Sequence, residues 1–326
     1  MKSQIVAMQL ISLRLVFDVK LSYNKTLSMK TQNITFLFTL LFSLMTKGLM
    51  AQSTMSQTFK DVDKLEMAVA SGDVIFQKGP DSELSFDMEH TFGENYKPII
   101  NQRGSTLIIK EESRQGSYSG RATWSFKVPE NIEISFNTGS GDVELEGLTV
   151  EVSMNSGSGD YKFRNASGEF KINTGSGDVE AEELEGELVI NTGSGNVQLE
   201  KLNARIKANT GSGSIDVSEL ALTGPSRFNT GSGDSEVSLT GSPSFDIAVN
   251  SGSGDTVLDF SGNAMVGTLV MEANKRNGDI RASFDFDSSE EIDEGYNTKI
   301  RKTKKFSDAD VKIRISSGSG TARAVK

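Results

Sequence analysis

Five aspartates close copies of one short motif: Asp142, Asp160, Asp178, Asp234 and Asp255 each end a segment of the form Asn-Thr/Ser-Gly-Ser-Gly-Asp. Asn196 and Ser214 take the same place in the two copies between Asp178 and Asp234. If successive copies stack as neighbouring strands, about 4.8 Å apart, adjacent carboxylates stand near the roughly 5 Å separation of retaining glycosidases. That chemistry needs two unlike carboxyls, one kept protonated as the acid and one ionised as the nucleophile. A ladder makes its members alike, so the column reads first as corner residues bonding local N–H groups. The same five aspartates are the binding candidates the sequence offers.

Other chemistries fit less well. Gly-rich calcium-binding nonapeptides follow Gly-Gly-x-Gly-x-Asp, whereas here Asp follows the second Gly directly and returns only every 18 residues. A phosphate loop needs Gly-Lys-Ser/Thr ahead of a helix, and no copy carries the Lys. The chain has one His, His90, and no Cys, which leaves no nucleophilic triad. The expectation is therefore no catalytic residue, no metal site and no cofactor.

The elements that must position these residues follow from the repeat itself. The motif starts at Asn137, Asn155, Asn173, Asn191 and Asn209 at a fixed interval, then at Asn229 and Asn250, with looser copies at 274–279 and 316–321 and a degenerate one at Ser71-Gly72-Asp73. Fixed-period self-similarity marks a stacked repeat architecture. Three residues before each Asn lie Ile134, Val152, Phe170, Leu188, Ile206, Ser226, Ile247 and Met271. One before it lie Phe136, Met154, Ile172, Ile190, Ala208, Phe228, Val249 and Ala273, and apolar columns also stand six and eight after it, headed by Val143 and Leu145. Charged or hydroxyl residues alternate between the columns. That is period two on both sides of the Gly-Ser-Gly corner.

The predicted fold is all-β, a single-stranded parallel β-helix (β-solenoid) with about 18 residues per coil and two main sheets. It is taken as right-handed from the general preference of parallel crossovers. A left-handed hexapeptide helix fails because the position six before inward Leu148, Leu184 and Leu202 is Asp142, Asp178 and Asn196. Glycine at the corner is expected to supply positive φ. The column Asn137, Asn155, Asn173, Asn191, Asn209, Asn229 and Asn250 predicts a ladder of stacked amides.

An apolar run at 34–45 after Lys30, ending at Ala51, reads as a secretory signal peptide over 29–51, too short to span a bilayer. Residues 1–28 then read as a mis-assigned start or an atypical extension. Without Cys there is neither a lipidated N-terminal Cys nor a disulfide, so stability must come from stacking. The formal charge is −10, and residues 1–51 hold six Lys/Arg against one acid, so their removal makes the chain more acidic. That argues against nucleic-acid binding.

Residues 52–136 read as irregular N-terminal β coils and a cap, with Leu65, Met67, Val74 and Phe76 inward and His90 and Trp124 on loops or the cap. Regular coils follow over 137–283. The stretch 284–310 is a charged excursion, with acids Glu290, Glu291, Asp293 and Glu294 facing bases Lys299, Arg301, Lys302, Lys304 and Lys305; 311–326 form the last coil.

The entry at Val128-Pro129 followed by repeated Gly-Ser-Gly-Asp coils resembles the bacterial putative-adhesin β-strand-repeat family, related to the auto-transporter adhesin head domain. The resemblance covers about residues 58–326 and implies an exported β-helix without assigned catalytic or ligand residues. The expected function is a non-enzymatic, exported adhesin or envelope-binding and structural module with an acidic elongated surface. It would sit in the periplasm, at the cell surface or outside the cell, not as a lipoprotein, with no transmembrane segment in the mature chain. Carbohydrate or an envelope protein is the partner expected. The alternative is a polysaccharide-binding or polysaccharide-cleaving enzyme using the Asp column.

Overall fold

The computed structural model describes residues 53–92, 96–111, 120–295 and 297–326, all within the compact unit Ser53–Lys326. The expected extension and signal peptide lie outside the described residues. Twenty-four strands and no helix are present among the described residues, so the chain is all-β.

Strands pair in two ladders, one on each side of the Gly-Ser-Gly corner. The first stacks Lys64–Ser71, Ile132–Ser140 and Thr149–Ser156 in parallel, then the C-terminal parts of Tyr161–Thr174, Val179–Thr192 and Val197–Thr210, then Ser226–Thr230 and Ile247–Ser251. The second stacks Asp73–Lys78, Val143–Glu146, the N-terminal parts of the same three long strands, Ile215–Leu222, Ser235–Leu239 and Thr256–Asp259. The three 14-residue strands run through both ladders and bend where Asn165, Glu183 and Lys201 adopt φ of 47°, 54° and 56°. Glu219 repeats the bend at 55°, and Gly147 takes the equivalent place one coil earlier.

Alternation puts every second side chain inside. Ile134, Val152, Phe170, Leu188 and Ile206 are buried in one column, and Val143, Tyr161, Val179, Val197 and Ile215 in the facing one. Because the side-chain period is two, this burial pins the register: a one-residue slip would turn the whole set to solvent.

Both ends depart from chain order. At the N-terminal end, the outermost coil is formed by Thr106–Lys110 and Ala122–Val128, which lie beyond the coil around Gly72. Antiparallel strands finish it: Ile99–Arg103 on Thr106–Lys110, and Glu83–His90 then Ser53–Lys60 on Ala122–Val128. This part thus combines parallel coils with antiparallel strands at its outer end. Trp124 and His90 are not on loops: both are buried in strands, Trp124 fully, because it falls in the inward column beside Val74.

At the other end, the final strands Lys312–Ser317 and Thr321–Val325 slot between the coil of 247–259 and that of 268–282. Residues 311–326 are therefore last in sequence and penultimate in the stack. The 284–310 excursion is an antiparallel hairpin, Ser288–Asp293 with Thr298–Lys305, which extends the first ladder beyond Thr268–Asn274. Its charges do pair, Lys299 with Glu294 at 2.8 Å and Arg301 with Glu290 at 3.2 Å.

One register differs from the sequence reading. Met271 stands beside Ile315, in the column immediately before the Asn, and Glu272 beside Ser316 takes the Asn place that the motif at 274 was expected to fill. Ile280 and Ala282 keep their expected columns beside Ala322 and Ala324. The corner between is two residues longer, closed by a turn in which Gly278 N–H donates to the Asn274 carbonyl at 2.9 Å.

Candidate functional site

The five aspartates stand in one column at the corner, and each is joined to the next coil. Asp160 N–H donates to Asp142 Oδ1 at 3.0 Å, Asp178 N–H to Asp160 Oδ1 at 2.8 Å and Asn196 N–H to Asp178 Oδ1 at 2.6 Å. The series continues through Asn196 Oδ1, Ser214 Oγ and Asp234 Oδ1 to Asp255, whose Oδ1 accepts from Thr321 N–H at 2.7 Å. One side-chain oxygen per coil therefore holds the backbone of the following coil. This explains why Asn196 and Ser214 are tolerated: each still offers an acceptor oxygen.

The asparagines form a second column. Asn155 Nδ2 donates to Asn137 Oδ1 at 3.0 Å, and the same bond links Asn173, Asn191, Asn209, Asn229 and Asn250 in turn at 2.7–2.9 Å. Each amide gives one N–H up the stack and accepts one from the next copy.

A third column was missed in the sequence. From Thr174 on, the Thr or Ser after each Asn is buried, and its hydroxyl both accepts and donates. Thr192 Oγ1 accepts from Gly195 N–H at 2.9 Å and donates to the Gly177 carbonyl of the preceding coil at 3.2 Å. Thr174, Thr210, Thr230, Ser251 and Ser317 repeat the pair of bonds. The signal was present: the place holds only Thr or Ser in all seven copies from 138 to 251, and Ser again at 317.

Gly72 and Gly141 supply the expected positive φ, at 154° and 150°, but from Gly157 on the corner glycines serve close approach instead. Gly159 and Gly177 have no positive φ. A Cβ on Gly159 would lie 1.9 Å from the Gly141 carbonyl oxygen, and one on Gly177 1.8 Å from that of Gly159. Coils pack corner to corner at backbone distance, which excludes any side chain there.

Chemically the corner is spent on stacking. The aspartates are equivalent to one another, and no cluster of three or more His, Asp or Glu able to hold a metal occurs among the described residues. Some exposed charges elsewhere pair across coils, as Lys162 with Glu180 at 2.8 Å, Lys64 with Glu133 at 2.7 Å and Arg205 with Glu187 at 3.1 Å. At the C-terminal hairpin, hydrogen bonding to Lys304 holds the Asp287 carboxyl below the usual carboxylate range. No helix among the described residues is long and apolar enough to cross a membrane.

Residues 62–268, well over half of the chain, match the family described as Toastrack DUF4097, in line with the resemblance carried by the repeat. No curated protein matches the sequence. Among solved structures, a putative adhesin from Parabacteroides merdae is similar at 12% identity, with 84% of this chain and 96% of that chain covered and a TM-score of 0.45. A putative adhesin from Bacteroides fragilis is similar at 12% identity, covering 84% and 97%, with a TM-score of 0.36. A putative cell adhesion protein from Clostridium sporogenes, also 12% identical, covers 83% and 99% with a TM-score of 0.22.

Proposed function

We propose a function from one premise: the chain belongs to the Toastrack DUF4097 family. It is an exported, non-enzymatic binding or structural module of the cell envelope, an adhesin in the broad sense, whose solenoid presents an extended and largely acidic surface. Its coils are read as right-handed, about 18 residues each, between two main sheets. The observation that carries the non-enzymatic reading is the corner column. Asp142, Asp160 and Asp178 are each bonded to the next coil in the same way, which gives no acid–nucleophile pair. Export rests on the apolar run at 34–45 behind Lys30.

The test is fractionation of the producing cells with N-terminal sequencing, followed by binding of the purified protein to envelope material. Recovery outside the cytoplasm with an N-terminus near Gln52, and saturable binding without turnover, are expected. An intact N-terminus on a soluble cytoplasmic protein, or glycan cleavage by the folded chain, would overturn the reading.

A further inference from the structure

The outer face of the first ladder carries a cationic groove on this acidic chain. Arg205, Lys207, Arg227, Lys312 and Arg314 line an open depression of about 660 Å³. Lys207 is the in-register neighbour of Arg227, and Arg227 is followed one coil on by Ala248 and two coils on by Arg314. At about 4.8 Å per coil, the three charges span roughly 15 Å along the stack. Ala248 is short, and with Pro225 and Val270 it supplies an apolar lining between the cations.

Like charges on adjacent strands repel, and several outward cations elsewhere on this protein have an acid beside them, as Lys162 has Glu180 and Lys64 has Glu133. Here Arg205 is held by Glu187 and Arg314 by Glu272, but Lys207, Arg227 and Lys312 have no ion pair among the described residues. Two acids, Asp246 and Asp310, also line the groove. Asp246 Oδ1 accepts the backbone N–H of Lys312 at 2.8 Å, so it serves the stack. Lys207 and Arg227 are thus left as adjacent unneutralised charges, with Lys312 near them, over an apolar lining.

We propose that this groove binds an anionic polysaccharide, resting on the envelope-binding reading above and naming the ligand class for it. The coil step is close to the length of one pyranose unit, so acidic groups on successive or alternate sugars can meet Lys207, Arg227 and Arg314. The apolar lining takes the C–H faces of the rings. Phe245, one of two exposed large hydrophobic residues among those described, directly precedes Asp246 on the chain. A nucleic acid fits less well: the groove has no aromatic lining on which bases could stack, and the acidic remainder of the chain repels a long phosphate polymer.

The test is affinity of the purified chain for polygalacturonate fragments, with neutral dextran, inorganic phosphate and single-stranded DNA as parallel probes, at low and moderate salt. Polygalacturonate is expected to bind, dextran not, and affinity to fall with salt. The double variant Lys207→Glu/Arg227→Glu, at two exposed positions, should weaken binding about tenfold or more with an unchanged melting temperature. Lys110→Glu/Lys127→Glu, the same charge change at exposed positions of the outermost N-terminal coil, should leave binding intact. No binding by the acidic glycan, equal loss in both double variants, or equal affinity for DNA would overturn the proposal. Phosphate binding as tight per site would overturn the polymer assignment. If envelope material is still bound by the Lys207→Glu/Arg227→Glu protein, the broader reading stands and only the groove assignment falls.

Discussion

Replacing Thr192 by Val exchanges a hydroxyl for a methyl of nearly the same shape and makes the side chain more apolar. On hydrophobicity alone this should stabilise a buried site, by about 0.8 kcal/mol for the added carbon. The structure gives the opposite sign. Thr192 Oγ1 satisfies Gly195 N–H and the Gly177 carbonyl together, and both glycines are buried. Valine leaves two backbone groups without a partner, at about 1–3 kcal/mol each, for a net loss of about 1–5 kcal/mol, centred near 3, after the hydrophobic gain. Serine keeps both bonds and removes one buried methyl, for a loss of about 1 kcal/mol. For a unit of this size, the valine change should lower the melting temperature by roughly 5–10 °C, and serine by a few degrees. Thermal unfolding followed by circular dichroism reads both. A Thr192→Val protein as stable as the wild type, or more stable than Thr192→Ser, would refute the claim that the hydroxyl column staples the coils.

Gly177→Ala places a Cβ 1.8 Å from a neighbouring carbonyl oxygen and should cost more than about 3 kcal/mol or prevent folding, whereas exposed Ser176→Ala should change stability by under about 0.5 kcal/mol in the same denaturation assay. Ile190→Asp buries an unpaired charge and should lose about 3 kcal/mol or more, while Glu187→Ala, which removes an exposed ion pair to Arg205, should lose less than about 1 kcal/mol; equal shifts would show the register to be wrong. Glu219→Gly relieves a left-handed backbone at φ 55° on an exposed residue and should raise stability by about 0.5–1 kcal/mol, so a drop in urea midpoint would contradict the bend assignment.

Much of the fold was legible because burial and period-two alternation agree at every regular coil. Ile134, Phe136, Val143 and Leu145 announce the inward columns of two strands, and the structure buries all four. The ends were not legible, because order in the stack depends on pairings between segments remote in sequence. Nothing local to 311–326 says that it will lie inside the coil of 268–282. Trp124 shows the same blindness: read as loop or cap, it becomes core only through its place beside Val74. The Asn and Asp columns announced themselves by identity. The hydroxyl column was overlooked because Thr and Ser are common surface residues, and only the corner geometry turns their oxygens inward. The cationic groove was invisible for another reason. Lys207, Arg227 and Arg314 are scattered along 108 positions of sequence and become neighbours only when the last strands enter the stack.

The central claim is that the repeated polar residues join coil to coil and leave recognition to the outer faces. It is tested most directly with the triple variant Asp142→Asn/Asp160→Asn/Asp178→Asn, measured for melting temperature and for capture by envelope material in one series. Asparagine keeps Oδ1 as acceptor for the next coil's N–H and removes three like charges from the column. The account predicts a melting temperature equal to or above that of the wild type and unchanged capture. A variant that melts like the wild type but no longer binds, or that loses a glycan-cleaving activity the wild type shows, would contradict it.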